Sequence, residues 1–264
     1  MRVRSGLVVA ALLVAGVALT GCDMNVGLSG DSTHSARSFD LSGDAVTVLV
    51  DNDVTLVRGR AGTVQVQRWL TGKARDRATW RLHGDELRVT APCVGVNLNC
   101  EAKYQVAVPP GVKVSLSTTY GDVVANGLGN DLNVVSEHGD LSLTKLSGRI
   151  RASTDYGNVT ARRLGSGDVM AESDSGDISL GFADAPTRVA ARSSYGNILL
   201  TVPDSAYHVT TGTKYGEVNS QLTDNDSAKR TLVATTDNGD VTISTGDAPG
   251  GPSTDPDAGD RSGD

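Results

Sequence analysis

From Phe39 onward the chain alternates apolar and polar residues with a period of two. Val46, Val48 and Val50 alternate with polar or smaller neighbours, as do Val54 and Leu56, Val64 and Val66, and Leu87 and Val89. The polar breaks Asp51-Asn52, Arg58-Gly59 and His83-Gly84-Asp85 separate these segments. Short strands joined by tight turns follow from that pattern. Trp69 and Trp80 fall in the same stretch and are expected to supply the bulk of its core. No helix is suggested after residue 21. The alternation pauses at Pro109-Pro110-Gly111.

Beyond Val112 a longer rhythm appears. Seven times the chain repeats a Gly, then Asp, Asn or Glu, then an aliphatic residue, from Gly121-Asp122-Val123 to Gly239-Asp240-Val241. Successive glycines lie 18, 18, 19, 20, 20 and 23 residues apart. A near-fixed period of this length predicts a solenoid in which each repeat is a coil stacked on the last. Each coil carries two strands. One follows the phrase, as in Leu141-Ser-Leu143 and Ile178-Ser-Leu180, and the other lies midway between phrases, as in Leu132-Asn-Val134 and Ile150-Arg-Ala152. Alternation then puts the aliphatics of both strands between two facing sheets. The fold class is all-β: a β-solenoid of short stacked coils with an N-terminal antiparallel or capping β region.

Composition agrees. Aromatic residues make up only 4% of the 264-residue chain while glycines number 31, which suits a thin aliphatic core with many turns.

The N-terminus speaks to location. Arg2 and Arg4 precede an apolar run from Gly6 to Leu19, which ends in Leu19-Thr20-Gly21-Cys22. This is a secretory signal layout, and its ending resembles the lipobox of bacterial lipoproteins. The resemblance implies cleavage before Cys22 and a diacylglycerol on its thiol. An ordinary signal peptide or a lone transmembrane helix is the rival, but the run is shorter than the ~20 residues a span needs. With Cys22 lipidated, Cys93 and Cys100 remain to pair across a short loop, and export puts them where disulfides persist. A zinc site is the alternative for that pair, with no histidine near it. Removal of residues 1–21 leaves 22 basic against 31 acidic residues. That balance argues against nucleic acid and against electrostatic adhesion to anionic lipid, so the membrane is expected to be reached through the lipid on Cys22 alone.

The expected organisation is a signal peptide over 1–21, a polar tether over 22–38, the N-terminal β region over 39–110, the repeats over 111–245 and an acidic tail over 246–264. The tail reads as disordered on composition. The strand region ending in Val106-Ala-Val108-Pro109, followed by Leu128-Gly129, Leu146-Ser-Gly148 and Leu164-Gly165 steps between the Gly-Asp phrases, resembles a family of bacterial surface proteins classed as putative adhesins with a domain of unknown function. The resemblance covers most of residues 40–245. It implies a β-solenoid on the cell exterior.

Two columns of residues are candidates for chemistry. Asp122, Asp140, Asn158, Asp177, Asn197, Glu217 and Asp240 follow the phrase glycines. Glycine supplies the positive φ of a tight turn and Asp or Asn bonds back to the backbone, so a turn role is the leading reading. A calcium ladder is the sharper alternative, but the nine-residue glycine-rich calcium pattern is absent. The residues preceding the glycines are Tyr120, His138, Tyr156, Ser175, Tyr195, Tyr215 and Asn238. Four of the chain's six tyrosines thus share one corner, as a strip for sugar rings or as rings that stabilise coil stacking. The histidines His34, His83, His138 and His208 are scattered, and no Gly-x-Ser-x-Gly elbow occurs. No catalytic residue, metal site or cofactor is expected.

These features describe a non-catalytic, lipid-anchored protein on the extracytoplasmic face of a membrane, with cell-wall polymer, glycan or an envelope protein as partner. The alternatives are a carbohydrate-active enzyme using Asp122, Asp140 and neighbouring acids, and a sensory or signalling lipoprotein with a protein partner.

Overall fold

The computed structural model of the protein describes residues 32–92 and 100–246. Two sheets face each other along its length. The N-terminal part supplies β1 (Ser32–Asp40), β2 (Ala45–Val50), β3 (Asp53–Arg58), β4 (Thr63–Gly72), a one-turn helix α1 (Ala74–Arg77), β5 (Thr79–His83), β6 (Glu86–Thr90) and β7 (Cys100–Val108). The repeats supply strands in pairs: β8 (Lys113–Tyr120) with β9 (Val123–Asn126), β10 (Leu132–His138) with β11 (Leu141–Thr144), and β12 (Ile150–Tyr156) with β13 (Val159–Leu164). The pairs continue as β14 (Asp168–Ser175) with β15 (Ile178–Phe182), β16 (Arg188–Tyr195) with β17 (Ile198–Val202), β18 (His208–Tyr215) with β19 (Val218–Ser220), and β20 (Thr231–Asn238) with β21 (Val241–Thr245).

The two strands of a pair lie in opposite sheets, and like strands of successive coils pair in parallel. Residues that the period of two points inward form continuous apolar rows. Val123, Leu141, Val159, Ile178, Ile198 and Val241 are in register across one sheet, and all are at most 1% exposed. Val114, Leu132, Ile150, Val169, Val189 and Leu232 form the matching row of the other. At the far corner the leucines of the Leu-Gly steps, Leu128, Leu146 and Leu164, plug the gap between the sheets.

The N-terminal β region is continuous with the solenoid. β2 pairs in parallel with β8 and β3 with β9, so residues 45–58 are a first coil that lacks the phrase glycine. Its corner residues are Asn52 and Asp53. Beyond this coil the pairing turns antiparallel, β1–β4–β7 in one sheet and β5–β6 in the other, which closes that end.

Three sequence expectations need correction. The segment read as tether already holds strand from Ser32, because its alternate residues pair along the whole edge of β4. Trp69 and Trp80 do not form the core: Trp69 stacks on His34 with centroids 4.9 Å apart, and the Arg68 guanidinium lies 3.9 Å over the Trp80 ring. The fully buried side chains there are aliphatics such as Val48, Leu56 and Leu87, with Tyr104. Last, α1 forms where no helix was expected, a single turn that buries Ala74.

The coils also do not stack in sequence order. The last pair, β20 and β21, lies between β16–β17 and β18–β19. The inward residues explain the exchange. β20 and β21 present Leu232, Ala234, Val241 and Ile243, whereas the corresponding positions of β18 and β19 hold Val209, Thr211, Val218 and Ser220. The more polar coil takes the end of the stack, where one face meets water, and the apolar coil takes the interior.

Two predictions follow from this packing. A Cβ added at Gly176 would fall on the Gly157 carbonyl oxygen. Gly176→Ala should therefore lower the unfolding free energy by about 2–3 kcal/mol, read as an earlier denaturant midpoint. Burial of the Tyr104 phenol pushes its pKa from 10.0 up to about 12, partly offset by the Arg68 charge, and its hydroxyl has no hydrogen-bond partner among the described residues. Its folded pKa lies above the unfolded one, so its contribution is intact below pH 10 and is lost as pH rises towards 12. Tyr104→Phe should hold or raise stability at neutral pH, by up to about 1 kcal/mol, and shrink the alkaline loss in a melting-temperature series.

Candidate functional site

Each phrase turns the chain from one sheet into the other, and the turns stack into a corner that runs the length of the rod. Glycine is required there by close approach. At Gly139, Gly157, Gly176, Gly196 and Gly239 a Cβ would collide with the carbonyl of the phrase glycine on the adjoining coil. Positive φ adds to the demand at Gly139 (φ 142°), but Gly176 is outside the left-handed region and is held by contact alone.

The acidic column is a hydrogen-bonded ladder. Asp53 Oδ1 accepts the Asp122 N–H at 3.0 Å, Asp122 that of Asp140 at 2.9 Å, and Asp140 that of Asn158 at 2.7 Å. Asn158 accepts from Asp177 at 2.9 Å, Asp177 from Asn197 at 2.7 Å, Asn197 from Asp240 at 2.9 Å and Asp240 from Glu217 at 2.9 Å. The side chain thus bonds to the backbone of the next coil and not to its own turn. Asn158 and Asn197 also donate through Nδ2 to Asp140 and Asp177, at 3.2 and 3.3 Å. Those amides stand between Asp140 and Asp177 and between Asp177 and Asp240, whereas Asp53, Asp122 and Asp140 adjoin without one.

A third column went unnoticed in the sequence. Three residues before each phrase glycine stands a serine or threonine: Thr118, Ser136, Thr154, Ser173, Ser193, Thr213 and Thr236. Ser173 Oγ donates to the Gly157 carbonyl at 3.0 Å, Ser193 to Gly176 at 3.0 Å, Thr236 to Gly196 at 2.9 Å and Thr213 to Gly239 at 2.9 Å. The fixed offset from the glycine was the available signal.

The residues preceding the glycines point outward. Tyr120, Tyr156, Tyr195 and Tyr215 are 60%, 60%, 63% and 74% exposed. His138 sits between Tyr120 and Tyr156, with ring centroids 5.2 and 5.0 Å apart and planes within 14° of parallel. Tyr195 and Tyr215 stack on no ring among the described residues. Because the last coil is inserted, Tyr195 and Tyr215 are separated by Asn238 and are not neighbours. Aromatic stacking between coils therefore accounts for the first part of the strip and not for the second.

Cys22 and Cys93 lie outside the described residues, and with them the lipid site and the cysteine pairing; Cys100 opens β7. Among the described residues, His208, Asp224 and Asp226 come together with metal-ligand spacing. His208 Nδ1 lies 3.2 Å from Asp224 Oδ1 and 3.5 Å from Asp226 Oδ1, and the Val209 N–H donates to Asp224 at 2.7 Å. That amide, with the His208 charge as a smaller cause, holds the Asp224 carboxyl below its usual range. The cluster fastens the segment after β19 to the start of β18. Asp122 and Asp140, the acids an enzyme reading would use, stand in the ladder with one oxygen each committed to a backbone amide.

The Toastrack DUF4097 family model matches residues 101–245. No curated protein matches. Among solved structures, a putative adhesin from Bacteroides fragilis NCTC 9343 is 16% identical, with 83% of this chain and 100% of that chain covered and a TM-score of 0.54. A putative lipid binding protein from Parabacteroides distasonis ATCC 8503 is 11% identical over 80% of this chain and 96% of that chain, with a TM-score of 0.47. A putative cell adhesion protein from Clostridium sporogenes ATCC 15579 is 12% identical over 82% and 100%, with a TM-score of 0.39. At these identities the likeness is one of fold.

The ladder yields a prediction. Asp177→Ala removes the acceptor of the Asn197 amide and should cost about 1–2 kcal/mol, whereas Asp177→Asn keeps an acceptor and should cost little. Thermal melts with and without calcium check the reading: a calcium-dependent gain that Asp177→Asn abolishes would make the column a cation site.

Proposed function

The chain belongs to the Toastrack DUF4097 family, and from that premise we propose that it is a non-catalytic, lipid-anchored binding module on the extracytoplasmic face of a bacterial membrane. Its partner is a cell-wall polymer or other envelope glycan. The observation that carries this reading is the row of outward-facing tyrosines on a rigid corner. Rings exposed to water at fixed spacing, on a fold whose close approaches leave the corner little freedom, are preorganised for binding. The Bacteroides fragilis protein of the same fold is named a putative adhesin, which supports it.

The anchor follows from the sequence. Nine residues separate Cys22 from Ser32, which at full extension reach about 30 Å. The closed end of the rod, built on β1 and β4, then faces the membrane, and the tyrosine corner rises away from it. Diacylation makes this attachment stable without basic residues. A disulfide between Cys93 and Cys100 would tie the segment that enters β7.

Two measurements test the reading. Cell fractionation should find the full-length protein with the membrane and Cys22→Ala released from it; membrane retention of the variant would remove the lipid anchor. Full-length protein in detergent micelles should co-sediment with insoluble cell walls. A variant with Tyr120, Tyr156, Tyr195 and Tyr215 all changed to Ala, with unchanged circular dichroism, should not. Equal sedimentation of the two would place the binding surface elsewhere.

A further inference from the structure

Read in spatial order, the outward column is Tyr120, His138, Tyr156, Ser175, Tyr195, Asn238, Tyr215. A tyrosine stands on every second coil, and this regularity is invisible in the sequence because the last coil is out of order. Like strands of adjacent coils are about 4.8 Å apart, so successive tyrosines are separated by about 9.6 Å. The first interval is filled: His138 lies between Tyr120 and Tyr156 with its ring nearly parallel to both. The second and third intervals, at Ser175 and Asn238, hold no ring. Each is therefore an opening of the width that a flat ring already occupies one interval away.

The Ser175 opening has a second feature. Beside it, on the outer face of the sheet formed by β12, β14, β16 and β20, lies a hollow of about 380 Å³. Glu172, Asp174, Arg192, Ser194 and Asp237 contribute to its walls. Three of these, Asp174, Ser194 and Asp237, immediately precede Ser175, Tyr195 and Asn238 in the chain, so the hollow begins one residue from the opening, although none of those corner residues lines it. Glu172 and Arg192 pair at 3.6 Å, and the walls of the hollow hold three carboxylates and one guanidinium.

We infer that the opening between Tyr156 and Tyr195, together with the adjoining hollow, is a binding site for a pyranose ring of a neutral glycan. This rests on the envelope-binding reading and gives it a place and a ligand class. A pyranose has apolar C–H faces and an equatorial rim of hydroxyls. Tyrosine rings suit the faces, and carboxylate, guanidinium and serine hydroxyl suit the rim. An aromatic side chain of a protein partner would use the rings and leave the polar wall unemployed. The acidic surplus disfavours anionic polymers. With the sugar plane parallel to the Tyr156 ring, which lies nearly parallel to His138, the glycan runs across the rod and not along it, so several chains can cross one rod.

The test is calorimetric titration of the full-length protein, in detergent micelles, with chitohexaose and cellohexaose, and with polygalacturonate as the anionic control. Binding of one of the neutral oligomers and not of polygalacturonate is expected. Ser175→His copies the ring already accepted at His138 and should weaken binding by at least about tenfold; Tyr195→Ala should do the same, while Leu199→Ala, on the outer face of the opposite sheet, should change it less than about twofold. Circular dichroism of each variant separates loss of the site from loss of the fold, and Ser175→His and Tyr195→Ala perturb the fold in different ways. Binding that neither variant weakens overturns the site but leaves the glycan-binding reading standing. No binding of either oligomer overturns the inference. If cell walls still sediment the protein then, and protein-stripped walls do not, the partner is a protein.

Discussion

The bond from each Asp or Asn side chain to the backbone amide of the next coil is the interaction on which this molecule is built. A parallel stack of short strands has its weak points at the corners, where the chain leaves one ladder and has not yet joined the other. From Gly139 onward the corner is bridged three times between adjoining coils. The side-chain oxygen takes the amide of the adjoining turn, an inward Ser or Thr hydroxyl takes the glycine carbonyl, and the glycine N–H itself bonds across, as from Gly157 to Ser175 and from Gly176 to Tyr195. No corner amide in that set is left to water. The arrangement works only if the turns lie so close that a Cβ would overlap the neighbouring carbonyl. Glycine is thus the condition for the ladder, and the ladder fixes the spacing of everything displayed outside it.

That fixed spacing ties the fold to the proposed role. The tyrosines sit one residue before the glycines, where adjoining turns are bonded to one another, yet their rings stand in water. A free loop would have to order itself on meeting a ligand and would lose part of the binding energy to that ordering. This corner has lost that freedom on folding. The acids beside the tyrosines are occupied with backbone amides, which separates two roles that the sequence leaves entangled. The carboxylate column holds the coils, and the ring column faces outward.

The two ends of the rod are solved differently. At the N-terminal end β6 and β7 cover the first coil in parallel, and β1, β4 and β5 add antiparallel strands beyond them. At the other end the chain passes over a place in the stack, builds β18 and β19 with Thr and Ser at inward positions, and returns to fill the gap with Leu232, Ala234, Val241 and Ile243. The His208–Asp224–Asp226 cluster and the Tyr207 hydroxyl, which donates to the Pro203 carbonyl at 3.0 Å, hold the connecting segments of this exchange. A polar coil at the exposed end also blunts an edge that would otherwise offer itself for further pairing.

The sequence by itself determined the solenoid, its two facing sheets and the corner at which the glycines stack, because those follow from a period of two within strands and a period of about twenty between them. Local periodicity is a property of the chain, and nothing distant can change which side of a strand Leu141 or Ile178 faces. It did not reveal the coil at residues 45–58, where Asn52 replaces the glycine, nor the strand from Ser32, whose pairing depends on β4. The exchange of the last two coils was equally hidden. Which coil lies beside β16 is a competition between two segments for one apolar surface, decided by how much each buries there. Only the tertiary structure settles such a competition, and with it the spacing of Tyr195 and Tyr215, the openings between the rings and the polar hollow beside Ser175.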